Sequence, residues 1–129
     1  MVSEAVCTCQ LYGERFSPKL VAQITGLAFS QQNEVGEVGG HGRYRGVALP
    51  YGAATIAVPN SVDEEEAILW LAQRLGPYIH LLRDGGADDI WINVALRHEG
   101  TWNWALSEKE LKALAGLGLH LKFSAQENG

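Results

Sequence analysis

The chain has 129 residues, of which 47% are hydrophobic and 19% are charged, and its formal net charge is −5. This length fits one globular domain, spanning residues 1–129, that can bury a core without disulfides or a metal. The acidic charge argues against non-specific binding to nucleic acid or to anionic lipid, both of which need a basic surface. The acidic charge is compatible with a basic protein partner, with a small-molecule ligand, or with no particular partner.

The N-terminal residues contain no basic cluster followed by an apolar run, so we expect no signal peptide. The longest apolar stretches are far shorter than the ~20 residues that span a bilayer. Cys7 and Cys9 are interpreted as buried thiols, because free cysteine is among the most buried residue types. The alternative is a soft-metal site completed by a histidine. These features predict a cytoplasmic protein without a cofactor.

The first predicted elements are a strand and a short helix. Residues 5–12 alternate between small apolar and polar side chains, as in a strand with one buried face. Ser17 and Pro18 predict a helix start, because serine is a good N-cap and proline suits the first helical position. The helix should end near Gly26 or Phe29.

Residues 30–46 predict a long exposed loop, because they hold many glycines among charged side chains. A phosphate cradle needs a following helix and usually a Lys-Ser/Thr pair, and neither is present. Residues 43–49 and 53–58 are two strand candidates separated by a turn. They predict either a hairpin or one strand interrupted by a bulge.

A candidate ligand site lies in this region, at His41, Arg43 and Arg45. If the segment is extended, Arg43 and Arg45 share a face and can hold a carboxylate or a phosphate. The alternative is a pair of exposed arginines on an edge strand. The first interpretation predicts a small-molecule or regulatory domain whose loop closes over an anion.

Residues 61–83 form the predicted main helix. Ser61 or Asp63 can cap it, and three glutamates lie in its first turn, where the helix dipole favours anions. Gly76 and Pro77 must kink or split it, because proline cannot donate to the preceding turn. Its apolar stripe consists of Ile68, Leu71, Ala72, Leu75, Ile79 and Leu82.

The last third predicts a strand over residues 89–98, an extended segment over 101–106, a helix and a closing strand over 119–125. Ser107 and Glu110 have the spacing of a capping box at the start of that helix. The element order predicts an α+β fold with a mainly antiparallel sheet and helices on one face. A ferredoxin-like arrangement is the nearest common architecture.

Two groups of residues predict a protein-binding surface: Asp63, Glu64, Glu65 and Glu66, and Trp102 and Trp104. The acidic run has an ordinary capping explanation, but acidic surfaces also steer basic partners. Tryptophan is enriched at binding hot spots, although the two tryptophans could instead cover one end of the core.

We expect no enzymatic site, because the sequence gives no nucleophile a visible partner and contains no nucleophile elbow. The least favoured alternative is an enzyme that uses His41 or His98. None of the four histidines stands at a metal-ligand spacing from another histidine or a cysteine.

Three segments resemble the bacterial domain-of-unknown-function family numbered 4279. They are Cys9-Gln10-Leu11 with Phe16-Ser17-Pro18, the Gly36-Glu37 loop followed by Arg43 and Gly46, and Leu106-Ser107 with the helix that leads to Gly118-Leu119. The resemblance covers nearly the whole chain and rests on caps, apolar spacing and glycines. It implies a small, uncharacterised bacterial α+β protein and brings no catalytic residues.

By analogy with small acidic bacterial proteins, we interpret the chain as a non-enzymatic protein-binding module. It could be an immunity protein that neutralises a basic toxin by covering its active site. The chain is expected to be a monomer or a homodimer, because an exposed edge strand can pair across a dimer without anything here requiring it.

Overall fold

A computed structural model of the chain describes residues 1–128. Over these residues the strands and α-helices follow in this order: β1 (Val2–Gly13), α1 (Pro18–Thr25), β2 (Gln31–Asn33), β3 (Gly52–Ala57), α2 (Ala67–Leu75), α3 (Ile79–Asp84), β4 (Asp89–His98), α4 (Glu108–Leu117) and β5 (His120–Glu127). Short 3₁₀ turns occupy Gly42–Tyr44, Glu64–Glu66 and Gly76–Tyr78.

The strands form one five-stranded sheet in the order β2-β3-β1-β4-β5. β2 is antiparallel to β3, whereas β4 is parallel to β5. β1 and β4 run in opposite directions, because Glu99 N donates to Met1 O while Ser3 Oγ donates to Arg97 O. The predicted α+β class with a mainly antiparallel sheet is confirmed. The ferredoxin-like arrangement stays a prediction.

Alternating burial gives the sheet an inner and an outer face. On β1, Cys7, Cys9 and Leu11 are buried, whereas the residues between them, including Thr8 and Gln10, are half-buried. This is the period of two that a strand with one covered face requires. The outer face is therefore the one that carries Thr8 and Gln10.

Contacts along the chain divide into two units. The first comprises residues 1–9, 57–77 and the described residues from 91 onward, and its core contains Leu71, Leu75, Ile92 and Val94. The second comprises residues 10–56 and 78–90, and its core contains Leu11, Phe16, Val21, Ile56 and Leu82. The apolar stripe predicted for the main helix is buried throughout.

Several predicted helix boundaries are confirmed. Ser17 caps α1 by accepting a hydrogen bond from Leu20 N, and Gly26 ends it in the left-handed conformation, with φ 75°. The main helix is split where Pro77 predicts a break: α2 ends at Leu75, and a 3₁₀ turn leads into α3. Ser107 and Glu110 form the predicted capping box at the start of α4.

The start of the main helix is corrected. The first α-helical residue is Ala67, and the preceding Glu64–Glu66 segment is a 3₁₀ turn. Asp63 stands at the N-cap of that turn without a side-chain capping bond. The three glutamates therefore precede α2 instead of forming its first turn.

Two extended segments were predicted wrongly. Residues 43–49 form no strand, because Gly42 and Gly46 adopt positive φ values of 68° and 73° that interrupt an extended backbone. Residues 101–106 belong to no strand either. Conversely, the predicted loop over residues 30–46 contains β2, which pairs with β3.

Residues 36–49, which we call the arm, are hydrogen-bonded to one another. Gly36 N donates to Leu49 O at 2.8 Å, and Leu49 N donates to Glu37 O at 2.7 Å. Further along, Gly39 N donates to Val47 O, and Gly46 N donates to Gly39 O, each at 2.9 Å. The predicted loop is thus held together by its own backbone hydrogen bonds.

Candidate functional site

The structure brings part of the predicted acidic group next to one of the predicted tryptophans. Glu64 and Glu65 line a cleft of about 360 Å³ together with Asn103, Trp104, Ala105 and Glu110. We call this the acidic–aromatic cleft. Its lining carries three carboxylates and one indole ring, and all of it belongs to the first unit.

Local structure holds each wall of the cleft. Glu64 and Glu65 lie in the 3₁₀ turn that leads into α2. Trp104 lies in the segment between β4 and α4, and its ring packs edge-on against Phe123 of β5, with centroids 6.1 Å apart. This contact anchors the Trp104 ring. Because Trp104 is only half-buried, part of it remains at the surface.

Glu110 is held by the helix cap. Its Oε1 accepts a hydrogen bond from Ser107 N at 2.9 Å, while its own N donates to Ser107 Oγ at 3.1 Å. It is 8% exposed, which makes it the one charged side chain among the buried residues of 1–128. The sequence predicted Glu110 only as a capping residue and missed its place in the cleft. Its six-residue separation from Trp104 in the chain was the available signal.

The carboxylates around the cleft also act on a buried thiol. Burial, together with the nearby negative charges of Glu64 and Glu110, raises the pKa of Cys7 to about 11. Burial likewise raises the pKa of Cys9 to about 12. Both cysteines are free and buried, as predicted.

Among residues 1–128, no group of three or more His, Cys, Asp and Glu side chains could hold a metal ion.

The other predicted partner residues lie nearby in the chain but outside the cleft lining. Asp63 and Glu66 are exposed on either side of Glu64 and Glu65. Trp102 packs against both Phe123, with centroids 6.0 Å apart, and His98, at 6.2 Å. Trp102 and Trp104 thus share Phe123 as a packing partner, and a contact role for Trp102 stays a prediction.

The predicted ligand residues do not line one cavity together. His41 lines a second cavity, of about 510 Å³, on the outer face of the sheet. Neither Arg43 nor Arg45 lines that cavity, and the guanidinium carbon of Arg43 lies 5.6 Å from the ring centroid of Tyr44. The extended face that Arg43 and Arg45 were expected to share is not formed, because Gly42–Tyr44 is a 3₁₀ turn.

The two histidines considered for catalysis lie in different surroundings. His98 Nδ1 is 2.9 Å from Gly100 O, and the imidazole packs beside Trp102. His41 is exposed at the wall of the outer-face cavity, where Glu37 is the one carboxylate in the lining.

The fold and the cleft define an α+β protein with a five-stranded mixed sheet and an acidic surface site. Comparison with protein-family models, with curated proteins and with solved structures gave no match. The resemblance to the family numbered 4279 therefore stays a prediction. None of the helices within residues 1–128 has the length and apolar character needed to cross a bilayer.

Proposed function

We propose that the protein is a non-enzymatic binding module that engages a basic protein through the acidic–aromatic cleft. The observation that supports this most directly is that Glu64, Glu65 and Trp104 line the same cleft. Glu110 adds a third carboxylate whose position is fixed by the cap of α4.

The chemistry of the cleft suits a cationic side chain. A single carboxylate can accept two parallel hydrogen bonds from an arginine, and an indole face attracts a cation by about 0.5–1 kcal/mol at an exposed site. The lining offers acidic, aromatic and neutral groups. An arginine or lysine of the partner would therefore be attracted by the acidic and aromatic parts of the lining, and the net charge of −5 would steer a basic partner towards the protein.

Within this proposal, the more specific expectation is a bacterial immunity protein in the cytoplasm. Its partner would be a basic toxin, such as a nuclease, whose active site the bound protein covers. The binding energy would then be concentrated at Trp104 and at the carboxylates beside it, as is usual at hot spots.

The alternative, an anion-binding or regulatory domain, receives less support from the positions of its residues. It required His41, Arg43 and Arg45 to converge, and only His41 lines a cavity. Arg43 lies instead against Tyr44.

The experiment is capture of a partner from a lysate of the protein's own cells, read by mass spectrometry, with three forms of the protein as bait. The wild type is compared with Glu64→Lys/Glu65→Lys and with a control, Glu14→Lys/Glu99→Lys, which reverses two exposed charges away from the cleft. Both variants bring the formal net charge from −5 to −1, so only the position of the change differs.

We expect the wild type and the control to retain one stoichiometric basic protein, and the cleft variant to lose it. Equal capture by all three forms would contradict the proposal, as would the absence of any stoichiometric partner. Thermal unfolding of each bait checks that loss of capture is not loss of fold, because lysines in the 3₁₀ turn before α2 lie near the positive end of its dipole.

A further inference from the structure

The outer-face cavity, which we call the groove, lies where three strands meet the arm. β1 contributes Gln10, β2 contributes Gln31 and Asn33, and β3 contributes Thr55. All of its lining belongs to the second unit, and it shares no residue with the acidic–aromatic cleft.

The register of the sheet sets the polar floor of the groove. Gln31 lies opposite Thr55, and Asn33 lies opposite Ala53. Thr55 Oγ1 donates to Gln10 Oε1 at 2.9 Å, which joins β3 to β1. Opposite residues of paired strands point to the same side of a sheet, so these polar side chains form a row on the outer face.

The arm and Tyr51 form the walls. Backbone hydrogen bonds between residues 36–39 and 46–49 hold the two halves of the arm together, and His41 lies between them in the chain. Asn33 Nδ2 donates to Tyr51 O at 3.0 Å, and the Tyr51 ring lies 4.6 Å from that of Tyr12. These contacts, with the hydrogen bond of Thr55, fix part of the lining.

The lining is poorly suited to an anion. It carries side-chain amides, two hydroxyls and an imidazole, and its one carboxylate is Glu37. An anion would require cationic donors, yet Arg43 and Arg45 lie outside the lining. A side-chain amide both donates and accepts hydrogen bonds. A row of amides therefore suits a ligand with a row of hydroxyl groups, each of which also donates and accepts hydrogen bonds.

The remaining lining is apolar and includes Val38, Leu49 and Ala53 beside Tyr51. A pyranose ring has this combination of surfaces, with hydroxyls around its rim and C–H groups on its faces that pack on apolar and aromatic side chains. A cavity of about 510 Å³ lies within the size range of small-ligand sites. We propose that the groove binds a neutral saccharide of one or two rings.

The test is NMR titration of the ¹⁵N-labelled protein with uncharged sugars. The probes are the methyl glycosides of glucose, galactose, mannose and N-acetylglucosamine, together with maltose and cellobiose, each at about 10 mM, which is above a Kd on the order of 1 mM. We expect at least one probe to shift the side-chain amide signals of Gln31 and Asn33 in a saturable manner.

Gln31→Ala should weaken that binding roughly fivefold, because one direct hydrogen-bonding group is lost. Gln23→Ala, at an exposed glutamine of α1, is the matched control and should leave it unchanged. The proposal is overturned if no sugar shifts the groove signals, if Gln31→Ala binds as the wild type does, or if inorganic phosphate shifts these signals and the sugars do not. None of these results depends on whether the acidic–aromatic cleft binds a protein.

Discussion

The end of β1 lies directly against the turn that follows α3, where Gly13 meets Gly86. A Cβ placed on Gly13 would lie 1.7 Å from Gly86 O, and Gly86 itself has a φ of 101°. Gly52 makes a similar approach, because a Cβ placed there would lie 1.8 Å from Phe16 O. These are backbone contacts, so no side-chain movement can relieve an added methyl group.

Gly13→Ala is therefore expected to lower the free energy of unfolding by roughly 3 kcal/mol, as measured by urea denaturation. Gly116→Ala is the control. Gly116 lies inside α4 with open space around its Cα, so alanine should raise the free energy of unfolding by about 0.5–1 kcal/mol. A Gly13→Ala variant as stable as the wild type would contradict the close packing of these two backbones.

Ser107→Ala should cost about 1 kcal/mol of stability, because Ser107 Oγ accepts the hydrogen bond of Glu110 N at the start of α4. Ser61→Ala tests whether the effect belongs to the cap, since Ser61 is exposed and precedes the 3₁₀ turn without capping a helix. Urea denaturation should place Ser61→Ala within about 0.5 kcal/mol of the wild type. Equal losses from both substitutions would argue against the capping box.

The sequence predicted well those features that depend on neighbouring residues. Ser17, Gly26 and Ser107 were recognised as caps because a cap and its helix are adjacent in the chain, and Pro77 breaks the main helix through its own covalent structure. β2 was missed because Gln31–Asn33 is short and polar, and its strand character comes from pairing with β3.

The candidate site was predicted in pieces. The acidic run and the tryptophans were each recognised by composition, but the meeting of Glu65 with Trp104 depends on how α2 and α4 pack. Both tryptophans pack against Phe123, but Trp104 lines the cleft whereas Trp102 also lies against His98. Periodicity could not have distinguished the two tryptophans, because they occupy equivalent alternate positions in the sequence.

The buried thiols make stability depend on alkaline pH. Their pKa values rise from an ordinary 9.0 to about 11 for Cys7 and about 12 for Cys9. The folded state thus favours the neutral thiol. The resulting stabilisation is complete below pH 9 and is lost as the pH rises from 9 through about 12. Cys7→Ser/Cys9→Ala should show a smaller fall in the free energy of unfolding over this range than the wild type. If the free energy of unfolding fell equally with pH in the variant and in the wild type, the result would contradict the assignment of this pH dependence to the buried thiols.

Glu110→Gln should lower the pKa of Cys7, because it removes one of the negative charges that disfavour the thiolate. Glutamine can still accept the hydrogen bond of Ser107 N, so the cap should survive. The measurement is the pH dependence of iodoacetamide alkylation in a Cys9→Ala background. Glu127→Gln, which removes an exposed carboxylate at the end of β5, is the control and should leave the alkylation profile unchanged.

The most direct test of the central claim is a calorimetric titration of the captured partner with the wild type and with Glu64→Lys/Glu65→Lys at several salt concentrations. We predict that the substitution weakens binding at least about tenfold. We also predict that the wild-type affinity falls between about 0.1 M and about 1 M salt, while the affinity of the variant changes much less. Equal affinities for the two proteins, with the same dependence on salt, would contradict the assignment of the acidic–aromatic cleft as the binding surface.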